Sequence, residues 1–171
     1  MDALKQYAIP VRSLGIGMHE FNFEIDWSFF RHFSASPVEQ GRFDVQFALD
    51  KQHDHLLVRI SVQGLLDTEC DRCLAPIAMP VQGEYGMIVK YDDERVTESH
   101  EDVVYITRDA PGWQVAQLIY EFVLLSIPVS KTYDCRSQQP VPCDEEALQK
   151  LDEPGAPNAG DSVWDVLKQI E

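Results

Sequence analysis

The chain has 171 residues, 44% of them apolar, with 29 acidic against 14 basic side chains for a formal net charge of −15. That length fits one domain with a core of its own. The charge repels phosphate backbones and attracts basic partners, which argues against a protein built first to grip nucleic acid, although acids also serve solubility.

The acids are unevenly placed. Residues 1–60 are near balance, whereas 61–110 and 111–171 are each strongly acidic. Met1 to Leu14 holds an early acid and a proline but no apolar run, so no secretory leader is expected and a cytoplasmic location is.

The first half reads as strands. Phe21, Phe23 and Ile25 alternate with Glu20, Asn22 and Glu24. Asp26 to Phe33 predicts a short helix with Asp26 as its N-cap, its aromatics closing one end of a sheet. Phe43, Val45, Phe47 and Leu49 alternate next, then Leu56, Val58, Ile60 and Val62, with Asp50 to Asp54 as the polar connection. Further strands are expected at Leu65–Glu69, Ile77–Val81 and Glu84–Lys90. Cys70-Asp71-Arg72-Cys73 then falls at a hairpin tip. An acidic loop follows, carrying Asp92, Asp93, Glu94, Glu98, Glu101 and Asp102, and Val103–Ile106 is expected to close the sheet.

The period then changes. Val115, Leu118, Ile119, Phe122 and Leu125 share one helical face, which Tyr120, Val123 and Leu124 widen. Asp109 and Pro111 suit the start of this buried helix and Pro128 its stop. Gln117, Glu121 and Ser126 interrupt it, and it is too short to span a bilayer. Residues 152–161 read as a linker rich in proline and glycine. Residues 162–171 read as a C-terminal helix, capped by Ser162 and striped by Val163, Val166, Leu167 and Ile170. The expectation is one α+β domain over 1–151: a largely antiparallel, strongly curved or barrel-like sheet with one buried helix, followed by the linker and the C-terminal helix.

Four cysteines are present: Cys70, Cys73, Cys135 and Cys143. In a reducing compartment thiols are more often metal ligands or redox groups than structural disulfides. A C-x2-C turn lets two thiolates reach one Zn²⁺, and turn N–H groups can stabilise their charge. The second pair is spaced less regularly. Three readings stay open: a structural zinc on all four thiols, a degenerate site with no metal or a labile one, and a redox pair. Pro76 and the strand pattern around Cys73 speak against the helix a redox pair needs. His53, His55 and His100 are substitute ligands, although a histidine in a polar loop is ordinarily just solvated. Zinc would clip the hairpin to the segment after the long helix, offsetting the entropy of closing a loop of about sixty residues.

Glu69-Cys70-Asp71-Arg72-Cys73-Leu74-Ala75-Pro76 resembles the C-x-R-C-L-x-P signature of the YceD family, the bacterial large ribosomal RNA subunit accumulation proteins. Tyr7 to Val11 with Leu14-Gly15-Ile16-Gly17 is similar to that family's opening strand and turn. Phe122 to Pro128 is similar to its leucine-rich helix, and Trp164 to Lys168 to its terminal helix. Many members carry a glycine-rich C-x-x-C cluster after the helix, where this chain has the longer stretch from Asp134 to Cys143.

The resemblance implies a role in large-subunit rRNA accumulation and ribosome assembly, without a known catalytic activity. The charge favours a basic ribosomal protein, or a large-subunit precursor reached through one, as partner. The expected contact surface is the acids of 92–102 and 144–146, with Arg72 at the hairpin tip able to reach a phosphate. The alternative is direct RNA binding through a zinc-clipped cysteine hairpin, which the shortage of Lys and Arg disfavours. For catalysis there is no G-x-S-x-G, P-loop or dinucleotide fingerprint; Gly15-Ile16-Gly17 reads as a turn, and His19 and His32 have no evident nucleophile.

Overall fold

The computed structural model describes residues 4–91, 103–108, 110–133 and 142–152. In chain order the elements are β1 (Ala8–Ile9), a 3-10 turn (Val11–Ser13), β2 (Gly17–Asp26), α1 (Trp27–Phe30), β3 (Gln40–Lys51), β4 (His55–Glu69) and β5 (Pro76–Tyr91). Then come β6 (Val103–Ile106), β7 (Trp113–Gln114), α2 (Ala116–Ser126) and α3 (Glu145–Asp152). The sheet runs β2-β3-β4-β5-β6, antiparallel except that β6 lies parallel to the end of β5. A separate two-strand ribbon pairs β1 with β7.

Alternation decides which face is buried. Phe43, Val45, Phe47 and Leu49 point inward from β3, and Leu56, Val58, Ile60 and Val62 from β4. Each such burial stabilises by roughly 1.5–3 kcal/mol, the aromatics at the upper end. α1, α2 and the β1–β7 ribbon cover this inner face. Asp26 caps α1 as expected, accepting from Ser28 N–H at 2.9 Å. Phe29 and Phe30 are buried, and Phe33 stacks on Tyr120 of α2 with centroids 4.1 Å apart.

α2 meets β5 at Gly83. A Cβ there would lie 2.3 Å from Ser126 Oγ, so glycine admits the helix. Ser126 Oγ donates to Phe122 O at 2.7 Å and sits 3.0 Å from the Tyr85 hydroxyl, which satisfies a polar group at the contact.

The sheet is neither barrel-like nor strongly curved. β6 lies beside β5 at one edge and does not return to β2 at the other, so the sheet stays open. The residues expected as five short strands after Asp54 form two long ones plus β6. The inward phase runs unbroken through Gly64 in β4 and Gly83 in β5, so these glycines and Pro80 do not end the strands. The buried face of α2 is Ala116, Ile119, Val123 and Ser126, while Leu125 is 67% exposed. Two small residues at the ends of that face let the helix approach the sheet, and the approach rotates Leu125 outward. α2 begins at Ala116, with β7 between it and Pro111. Asp152, expected to open the linker, instead ends α3, and the rest of the linker and the C-terminal helix lie outside the described residues. No helix among the described residues is long and apolar enough to cross a membrane.

Candidate cysteine site and acidic groove

The hairpin between β4 and β5 is closed by Cys70 N–H to Ala75 O and Leu74 N–H to Cys70 O, both at 2.8 Å. Leu74 takes a left-handed φ of 60°, which turns the tip tightly enough to bury both thiols. Cys70 and Cys73 are 1% and 4% exposed and are free thiols. Burial pushes the Cys70 thiol up, but N–H groups of Tyr133, Arg72 and Cys73 aimed at its sulfur outweigh that and hold it below the ordinary thiol range.

The segment after α2 is clamped to this tip. Asp71 N–H donates to Lys131 O at 2.8 Å, and Lys131 N–H donates to Asp71 Oδ2 at 2.7 Å. The Lys131 ammonium adds a looser pair, 3.8 Å from Asp71 Oδ1. Cys70, Cys73, Ala75, Ile77 and Met79 make a small buried cluster, with Tyr133, Cys143, Ala147 and Leu148 packed against it. Asp144 caps α3, accepting from Glu146 N–H at 2.9 Å and Ala147 N–H at 3.1 Å. The capped helix delivers Ala147 and Leu148 to the cluster, with Cys143 one residue before its cap.

Three of the four predicted cysteines thus come to one place, and Cys135 lies outside the described residues. Cys143 is disulfide-bonded. Among the described residues no group of three or more His, Cys, Asp or Glu side chains is arranged to hold an ion. The Cys70 cradle of N–H donors suits a metal-bound thiolate, whereas Cys143 in its disulfide is not available as a thiolate. His55 is not a ligand: β4 puts it at the end opposite Cys70, where Nδ1 lies 2.7 Å from Asp54 Oδ1. His53 shares that remote turn, and His100 lies outside the described residues.

Of the predicted partner-binding residues, Arg72 is exposed at the tip. Asp92, Asp93, Glu94, Glu98, Glu101 and Asp102 lie outside the described residues. Of the 144–146 acids, Asp144 serves as a helix cap rather than a free contact. Sequence reasoning missed the Asp71–Lys131 clamp and α3; Asp144 followed by Glu145-Glu146-Ala147-Leu148 was the available cap signal. It also missed a surface groove beside the hairpin, where Glu39, Asp67 and Glu69 are exposed and Lys131 is the sole basic lining residue.

A family model described as large ribosomal RNA subunit accumulation protein YceD matches residues 58–171, more than half of the chain. Comparison with curated proteins and with solved structures gives no match.

Proposed function

The chain belongs to the YceD family, and from that premise we propose that it is a non-enzymatic factor in large-subunit assembly. It acts through a basic protein partner. The observation that carries this is the acidic groove beside the cysteine hairpin, lined by three exposed carboxylates and by one lysine already paired with Asp71. A lysine or arginine segment entering it gains charge complementarity, whereas an RNA phosphate is repelled. The −15 net charge extends that preference to encounter from a distance.

In this proposal the cysteine hairpin is the structural support of the groove. Thr68 and Glu69 lead directly into the hairpin tip, and Lys131 belongs to both groove and clamp. With Cys143 reduced, Cys70, Cys73, Cys143 and Cys135 are the residues that would hold a Zn²⁺, which would supply a structural cross-link there. Binding to proteins extracted from large subunits, measured against binding to rRNA fragments, tests the proposal. The expected result is protein binding that weakens steeply as salt rises. Tighter binding to bare rRNA, or salt-insensitive protein binding, would overturn it.

A further inference from the structure

Among the described residues β2 is an open edge of the sheet. It pairs with β3 through ten consecutive residue pairs without a bulge, and no described strand lies on its other side. Open edges invite a further strand, and proteins commonly blunt them with proline, lysine, bulges or short length. β2 has no proline, lysine or bulge over its ten residues, and its charged side chains are all acids, Glu20, Glu24 and Asp26, which repel an acidic strand and admit a basic one. The other long edge is blunted: where β5 runs beyond β6 it carries Pro76 and Pro80.

The side chains along β2 specify what would fit. On the outer face Glu24 stands directly opposite Asp44 of β3. Like charges in that position are destabilising. The next residues of the same row, Gln63 and Gln82, are uncharged, and neither Glu24 nor Asp44 has a basic partner among the described residues. The nearby Arg42 is opposite Asp26. Glu20 lies two steps along the same face, beyond Asn22. On the inner face Phe21 and Phe23 are only half-buried, whereas Ile25 is 2% exposed.

We propose that β2 accepts an extended basic segment of a partner protein as a sixth strand, lysine or arginine alternating with apolar residues. Its basic side chains would lie beside Glu20 and Glu24 and relieve the Glu24–Asp44 repulsion. Its apolar side chains would complete the cover over Phe21 and Phe23, and its backbone would pair with the free edge. A second copy of β2 fits less well, because pairing would set acidic outer faces side by side. This inference rests on the basic-partner proposal and adds a second contact for such a partner, on a strand that does not line the hairpin groove. It lies outside residues 58–171, so the family match does not carry it.

The test uses the whole chain and a peptide of five Lys-Val repeats, about the length of β2. Amide hydrogen exchange should slow at every second residue of 17–26, the amides at the free edge. A peptide N-methylated on its edge-facing amides should fail to bind, and Glu24→Lys should weaken the parent peptide about tenfold at low salt. Binding that leaves β2 exchange unchanged, or that survives N-methylation, overturns the edge while leaving the basic-partner proposal standing. No binding of either peptide at low salt counts against both.

Discussion

Gly64 sits directly opposite Phe43, and a Cβ added there would lie 2.3 Å from Arg42 O and 2.6 Å from Phe43 Cδ1. Neither neighbour can give way without disturbing the ladder, so Gly64→Ala should cost about 2 kcal/mol in urea denaturation with an unchanged m-value. Asp26 behaves differently, because its effect depends on pH. The Ser28 hydroxyl and N–H hold its carboxyl below the ordinary carboxylate range. The cap therefore stabilises fully above that range and is lost as pH falls through the lowered native value. Asp26→Ala should cost about 1 kcal/mol near neutrality, and the difference from the parent should shrink in strong acid. Asp26 was legible in the sequence because a cap is local, needing only the residues that follow it. Gly64 was not, since its reason is a residue on another strand.

Among elements, the cysteine hairpin shows the same division. Cys70 and Cys73 could be read at a hairpin tip because turn and ligand spacing are local. The clamp to Lys131 could not, since it uses backbone atoms of residues sixty positions apart. Sheet closure was misjudged for a related reason: alternation shows which face a strand buries, not which neighbour its edge takes. Asp71→Ala should release the 131–133 segment, costing about 1 kcal/mol because the carboxylate is partly exposed. Faster hydrogen exchange at Lys131, with β3 unchanged, would show the effect is confined to the clamp. If zinc is the cross-link there, the reduced chain should bind about one zinc per molecule and Cys143→Ser should lower that occupancy. Well under one zinc in the reduced parent, on elemental analysis, would exclude it.

For the whole molecule, charge and fold act together. The core is built by the inner face of an ordinary open sheet, which leaves the outer face, the β2 edge and the hairpin groove to carry acids. Glu20, Glu24, Asp44, Asp67 and Glu69 all project from the outer side of the sheet. The charge imbalance could be read from composition, but its concentration at these surfaces could not, because it depends on strand order. The most direct test is capture of the tagged chain from cells with and without ribonuclease, followed by a salt gradient. The account predicts that basic large-subunit proteins stay bound after ribonuclease treatment and leave as salt rises. Loss of those proteins on ribonuclease treatment, with rRNA the component held directly, would contradict it.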